Sequence, residues 1–120
     1  MSNDTLAWAL ERLAERRRVV IASVIQTSGS VPGKVGAKLA VAEGKEGFHG
    51  TVGGAGLEMK VLLRCKELLS EYWEPYGEMH TYGLNKGAKG YEVQPLDSLC
   101  GGRVTLSIEV IMPVSYTHLT

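Results

Sequence analysis

Three glycine-rich segments hold most of the residues that could do chemistry, and we call them loop one (residues 28–36), loop two (50–58) and loop three (97–102). Loop two stands between a predicted strand and a predicted helix, an arrangement that points unpaired backbone amides at an anion. Its glycines would let a ligand approach the backbone closely. The spacing matches neither the dinucleotide-binding fingerprint nor a Walker loop. Anion binding and a tight strand-to-helix turn therefore both remain open for loop two.

Polar side chains in and beside these segments are candidate ligand contacts. Loop one offers the hydroxyls of Ser28 and Ser30, with Lys34 and Lys38 as candidate phosphate partners. Loop two overlaps the beginning of the helix that follows Gly56, and Glu58 falls in the first turn of that helix. A carboxylate there either caps free amides or faces a ligand as a proton acceptor or hydrogen-bonding partner. Loop one shows no nucleophile with a neighbouring base, so a hydrolase is not indicated.

The two cysteines have different settings. Cys65 lies on the apolar side of a predicted helix and is expected to be a small core residue. Cys100 precedes Gly101, Gly102 and Arg103, where amides and a guanidinium could stabilise a thiolate. Cys100 is therefore a candidate sulfur nucleophile or soft metal ligand, with an idle thiol as the alternative.

Composition and charge exclude several classes of protein. The 120 residues carry 13 Lys plus Arg and 13 Asp plus Glu, so no global field favours nucleic acid. His49 and His80 are isolated in sequence, which argues against structural zinc. Neither a signal peptide nor a run of roughly 20 apolar residues is evident. We therefore expect a cytoplasmic protein with neither a nucleic-acid nor a membrane partner.

The elements that must position these loops follow from the hydrophobic periodicity. Asn3 or Asp4 is expected to cap a first helix, which ends in a solvated charged run at residues 15–18. The predicted apolar side of this helix consists of Leu6, Ala9, Leu10 and Leu13. The β-branched run at 19–27 predicts a buried central strand. Residues 37–52 predict a hairpin of two strands around a turn at 43–47.

The second half of the chain also contains a predicted helix followed by predicted strands. The predicted apolar side of the helix after loop two consists of Leu57, Val61, Leu62, Cys65, Leu68, Leu69 and Tyr72. Residues 74–77 end that helix, and 78–84 and 91–94 predict a strand and a short edge strand. Alternation at 103–112 predicts a strand with one wet face. The sequence thus predicts a single compact α/β domain with a mixed, mostly antiparallel sheet and two main helices.

Residues 113–120 differ from the rest of the chain. They have neither its periodicity nor its charge, and they resemble the translated adapter tail of truncated reading frames. We therefore predict a domain over residues 1–112, followed by a non-native or disordered tail.

Taken together, the motifs of the three loops resemble the XdhC/CoxI family of accessory factors. The motifs are Thr27-Ser-Gly-Ser-Val-Pro, Gly36-Ala-Lys-Leu, Gly50-Thr-Val-Gly-Gly-x-x-Leu-Glu58 and Cys100-Gly-Gly-Arg-Val. Each is weak alone, but their order and spacing are rather specific. The resemblance covers roughly residues 5–112 and implies the amino-terminal domain of a family whose members usually carry a carboxy-terminal Rossmann domain.

The resemblance implies a protein that binds molybdenum cofactor, assists its sulfuration and delivers it to a molybdenum hydroxylase such as xanthine dehydrogenase. A cysteine desulfurase and a second copy of the chain are further candidate partners. Cys100 would contact the metal end, and loops one and two the pterin or phosphate end. The implied cofactor-binding residues are Ser28, Gly29, Ser30, Gly53, Gly54, Glu58, Cys100, Gly101, Gly102 and Arg103.

Two other functions remain open from the residues themselves. The chain could be a docking or dimerisation module with no ligand of its own. It could also be a small sulfur-transfer enzyme that uses Cys100 as its nucleophile, which would require a lowered thiol pKa and access to solvent. An accessory protein is favoured over an enzyme, because no base that would partner Cys100 is evident.

Overall fold

A computed structural model describes residues 2–44, 47–87, 90–94 and 101–114 of the chain. The elements are α1 (Ser2–Ala14), β1 (Val19–Ser28), β2 (Lys38–Ala42), β3 (Phe48–Gly50), α2 (Ala55–Glu71), β4 (Tyr76–Gly87), β5 (Gly90–Gln94) and β6 (Gly102–Ile111). The tail predicted at 113–120 lies outside the described residues from residue 115 onward, so its nature stays a prediction.

The six strands form one sheet in the order β3-β2-β1-β6-β4-β5. All five neighbouring pairs are antiparallel. This confirms the predicted compact α/β domain with two helices and a mostly antiparallel sheet, and the described strands include none of the parallel pairing that a mixed sheet would have. The predicted hairpin of β2 and β3 is confirmed, and β5 is an edge strand as expected.

The main core lies between α2 and one face of the sheet. Every second residue of β6 is buried there, because successive side chains of a strand point to opposite faces. The predicted apolar side of α2 is confirmed, with Leu57, Val61, Cys65 and Leu68 each at most 1% exposed. Burial raises the pKa of the Cys65 thiol to about 12, as expected for a core residue.

The buried side of α1 matches the prediction only in part, because Ala9 and Leu13 pack on the sheet but Leu6 and Leu10 do not. The helix packs on the other face of the sheet through Thr5 and Ala9, whereas Leu6 and Leu10 are 39% and 66% exposed. The surface that it meets includes Ala40 and Ala42 of β2. Small side chains on both sides allow a close approach, which favours the Thr5–Ala9 stripe over the bulkier neighbouring one. Because α1 already includes residues 3 and 4, neither of these is its N-cap.

The charged run after α1 is also not solvated throughout. Arg18 is 4% exposed, and its guanidinium lies 2.9 Å from the Glu43 carboxylate. It also donates a hydrogen bond to the Tyr72 carbonyl and stacks on the Trp73 ring at 3.7 Å. The expectation of a solvated residue at position 18 was therefore wrong, because a carboxylate 25 residues away in sequence pairs with it. None of the helices within the described ranges is long and apolar enough to cross a lipid bilayer.

Candidate functional site

Loop one and loop two touch each other through their glycines. A Cβ placed on Gly33 would lie 2.5 Å from the Val52 carbonyl oxygen, and one placed on Gly53 would lie 2.8 Å from the Gly33 Cα. Real Cβ atoms do not approach other atoms so closely, so the two backbones meet only because neither residue has a side chain. Pro32 also packs against Gly54, at 3.5 Å from a Cβ built there.

Loop one also touches the described end of loop three. A Cβ on Gly29 would lie 3.0 Å from both the Gly101 carbonyl oxygen and the Gly102 Cα. A Cβ on Gly102 would lie 2.7 Å from the Ser30 carbonyl oxygen and 2.8 Å from that of Ser28. Loop one therefore lies between the other two, and the three segments meet at one end of the sheet. We call this place the glycine junction.

The register of the sheet explains why these segments share one end. β1 ends at Ser28, which pairs with Arg103 at the beginning of the antiparallel β6. β3, an edge strand, ends at Gly50 at the same end of the sheet, because Gly50 pairs with Leu39 near the beginning of β2. α2 then begins at Ala55, four residues after Thr51.

The predicted site residues are distributed around this junction. Ser28, Gly29, Ser30, Gly101 and Arg103 are exposed to solvent. The structure places Gly53 and Gly54, both half-buried, directly before α2, and it buries Gly102 at the beginning of β6. Cys100, the candidate metal and sulfur ligand, lies outside the described residues. The roles predicted for all these residues stay predictions.

Glu58 folds back onto loop two. Its carboxylate accepts a hydrogen bond from the Thr51 hydroxyl and another from the Val52 amide at 3.1 Å. The Gly53 amide in turn donates to the Thr51 hydroxyl oxygen at 3.1 Å. This network holds the loop in place before α2, as the structural alternative for Glu58 requires. Contact of Glu58 with a ligand stays a prediction.

A cleft of about 390 Å³ lies beside the glycine junction, between α1, loop one and the β2–β3 hairpin. Its lining includes Lys34 and Lys38, which the sequence indicated as phosphate partners, together with His49 and Thr51. The His49 Nδ1 lies 3.0 Å from the Thr5 hydroxyl, a contact that no sequence motif predicts. These residues are 44 positions apart, so their contact has no signal in sequence spacing.

A second polar cluster lies between α2 and β4. Arg64 donates two hydrogen bonds to the Glu78 carboxylate, at 2.7 and 2.8 Å, and Tyr76 donates a third at 2.8 Å. The Arg64 guanidinium, with help from His80 and Tyr76, holds the pKa of Glu78 at about 2 against the opposing effect of burial. The Glu78 carboxylate is engaged in all of these contacts, so the cluster connects α2 to the sheet.

Metal binding finds no support among the parts of the chain that the structure describes. Within them, no group of three His, Cys, Asp or Glu side chains is arranged to hold a metal ion. The two histidines contact other side chains, His49 the Thr5 hydroxyl and His80 the Glu78 carboxylate.

Comparison with known proteins identifies related sequences and folds. The model of a family described as the XdhC and CoxI family matches residues 12–83, which include loops one and two. A crystal structure described as a xanthine dehydrogenase from Bacillus halodurans matches with a TM-score of 0.54 and 25% identity. The match covers 92% of this chain but 31% of that one, so this chain spans about a third of its length. No curated protein matches the sequence.

Proposed function

The chain belongs to the XdhC and CoxI family, and from this premise we propose that it is an accessory domain for a molybdenum hydroxylase of the xanthine dehydrogenase type. In this role it binds molybdenum cofactor, assists its sulfuration and helps to insert it into the client enzyme. A solved protein that shares its fold is described as a xanthine dehydrogenase, which supports that client class. The domain acts in the cytoplasm as a chaperone for the cofactor rather than as a catalyst.

The observation that carries this proposal is the glycine junction. Three motifs that are far apart in sequence contribute backbone to one end of the sheet, with loop one in contact with both of the others. A backbone without side chains exposes amides and carbonyls, which can bind a pterin ring and its phosphate. The exposed Ser28 and Ser30 hydroxyls and the exposed Arg103 guanidinium add polar groups at the same end. These groups fit an anionic, hydrogen-bonding cofactor.

The roles of the residues follow from their chemistry. A thiolate is a suitable ligand for a soft metal or its sulfur, so Cys100 takes the metal end. The amides of Gly101 and Gly102, with the Arg103 guanidinium, stabilise that thiolate. Ser28, Gly29 and Ser30, together with Gly53 and Gly54 and the carboxylate of Glu58, bind the pterin end. The cofactor supplies the metal chemistry, and the domain holds it and keeps it from water.

The test of this function is to measure molybdenum that stays bound to the purified chain. The protein is mixed with released cofactor under anaerobic conditions, passed through gel filtration and analysed for metal. We expect about one molybdenum per binding unit for the wild type and a loss of most of it for Cys100→Ser. Cys65→Ala is the matched control, because Cys65 lies on α2 and is fully buried in the core between α2 and the sheet.

Three outcomes would contradict the proposal. Absence of bound molybdenum in every form would remove cofactor binding from this chain. If the chain were then a ligand-independent dimer in light scattering, the docking function would take its place. Equal binding by the wild type and Cys100→Ser would remove the metal-contacting role of Cys100. Sulfur transfer to a small thiol acceptor without any bound cofactor would indicate the enzyme instead.

A further inference from the structure

The cleft beside the glycine junction has a composition of its own, and we call it the lysine cleft. Its lining comes from three parts of the chain: Asp4 and Thr5 of α1, residues 34–38 from loop one to the beginning of β2, and residues 49–51 at the end of β3. Its volume of about 390 Å³ is within the range of small-ligand sites. None of the cofactor-binding residues implied by the family resemblance lines it, although parts of two family motifs, at residues 36–38 and 50–51, do.

The cleft carries an excess of positive charge, although the whole chain is neutral. The Lys38 ammonium is held by a neutral partner, the Ser23 hydroxyl, at 3.0 Å. Among the described residues, neither Lys34 nor Lys38 forms an ion pair with a carboxylate. Asp4 is the one carboxylate in the described lining. Two lysines and a single acid therefore line the cleft, and this excess of positive charge attracts anions.

The neighbouring Glu58 does not cancel this charge by pairing with the lysines. Its carboxylate accepts hydrogen bonds from the Thr51 hydroxyl and the Val52 amide. Those two donors satisfy it within loop two. The lysines are thus left available to an incoming ligand.

Two further features add to the attraction for an anion. The first turn of α1 lines the cleft through Asp4 and Thr5. This helix has 13 residues, and the partial positive charge of its dipole lies at this amino-terminal end. The His49 ring is fixed by the Thr5 hydroxyl at 3.0 Å and by stacking on Trp8 at a centroid distance of 5.8 Å. An oriented imidazole provides a polar contact without an ordering cost on binding.

We propose that the lysine cleft binds the phosphate group of a phosphate monoester. A phosphate monoester carries about −1.5 to −2 charges near neutral pH, which matches two lysines better than a carboxylate would. The cleft is larger than the phosphate alone, so part of the esterified group lies inside it. Thr51 belongs to both loop two and the cleft, so one ligand can reach from the glycine junction into it. The statement that this ester is the phosphate end of molybdenum cofactor rests on the proposed function. The binding of a phosphate monoester in the cleft does not.

Equilibrium dialysis with inorganic phosphate, glycerol phosphate and glycerol tests the inference. We expect glycerol phosphate to bind at least as tightly as inorganic phosphate, and glycerol not to bind. Charge-assisted hydrogen bonds predict that Lys38→Gln raises the Kd about tenfold and that Lys34→Gln adds to this. Lys66→Gln is the matched control, because Lys66 lines a separate cleft between α2 and the β2–β3 hairpin. Its Kd should stay within about twofold of the wild type.

Amide chemical shifts of the wild-type chain locate the bound phosphate without any substitution. Saturable shifts at Gly36, Gly50 and Thr51 on addition of glycerol phosphate are the expected result. Absence of saturable binding, or shifts confined to residues 62–70 of α2, would overturn the inference. Tenfold tighter binding of inorganic phosphate than of glycerol phosphate would overturn the monoester as ligand and indicate free phosphate.

The two proposals fail separately. Phosphate binding in a chain that retains no molybdenum would contradict the proposed function and leave the lysine cleft as a phosphate site. Molybdenum retention that is identical in the wild type and the Lys34→Gln/Lys38→Gln variant would contradict the placement of the cofactor's phosphate end in this cleft.

Discussion

Replacing Gly102 with alanine would test whether loops one and three are in contact at the glycine junction. The added Cβ would lie 2.7 Å from the Ser30 carbonyl oxygen and 2.8 Å from the Ser28 carbonyl oxygen, and it would also meet the Val31 side chain. Ordinary contacts begin near 3.4 Å, so loop one would have to move by roughly 0.6–0.7 Å. Backbone oxygens cannot avoid the contact by changing rotamer. The strain must therefore be taken up by the loop itself.

The expected cost follows from these distances. Overpacking of this kind costs about 1–3 kcal/mol, and backbone contacts favour the upper part of that range. Alanine also restricts the unfolded chain, which raises the free energy of unfolding by about 0.4–1 kcal/mol. Gly102 does not have a positive φ, so no further strain arises from its backbone conformation. We expect a net loss of about 2 kcal/mol in the free energy of unfolding, or roughly 8 °C in Tm.

Urea unfolding of matched variants provides the measurement. Gly47→Ala is the control, because a Cβ on Gly47 meets no atom within 4 Å and its φ is also not positive. Its stability should stay within about 0.5 kcal/mol of the wild type. Equal stability of Gly102→Ala and Gly47→Ala would refute the close approach of loops one and three.

Three further predictions concern the rest of the fold. Glu78→Gln should cost about 2–3 kcal/mol at neutral pH. Because the folded pKa of Glu78 is lowered to about 2 by Arg64, the wild type should lose this stability as the pH falls from about 4.5 towards 2. Urea unfolding at several pH values checks this, and parallel curves for both proteins would contradict it. Glu43→Gln leaves the buried Arg18 guanidinium without its carboxylate and should lower the free energy of unfolding by about 3 kcal/mol, measured by thermal or urea unfolding. The double variant Arg18→Met/Glu43→Leu should recover most of that loss. A double variant that is no more stable than Glu43→Gln would contradict this prediction. Cys65 should resist alkylation by iodoacetamide near pH 8 until denaturant is added, because burial raises the pKa of its thiol to about 12. Mass spectrometry of the labelled peptide detects the alkylation. Labelling of Cys65 in the folded chain would show that it is not a core residue.

Much of the fold could be predicted because its signals are local. The β-branched run of β1 and the strict alternation of β6 each predict a strand within a few neighbouring residues. The apolar stripe of α2 is equally local and is confirmed. The buried side of α1 could not be predicted in the same way. Two adjacent stripes of that helix are apolar enough, and the small residues of β2, distant in sequence, decide between them.

The candidate site depends still more on tertiary contacts. The sequence identified three glycine-rich loops, but their mutual contact follows from the register of β1 with β6 and from the approach of Gly33 to Gly53. The burial of Arg18 by Glu43 likewise depends on a partner 25 residues away. The environment of Cys100 lies outside the described residues, so the chemistry assigned to it still rests on the sequence.

Hydrogen–deuterium exchange with and without bound molybdenum cofactor tests the shared site at the glycine junction most directly. Exchange of backbone amides slows where a ligand orders or covers them. We predict slower exchange in residues 28–36, 50–56 and 101–103 together, at the cofactor concentration that saturates molybdenum binding. Unchanged exchange in these three segments while molybdenum is bound, or protection of one segment alone, would contradict a single site built from all three loops.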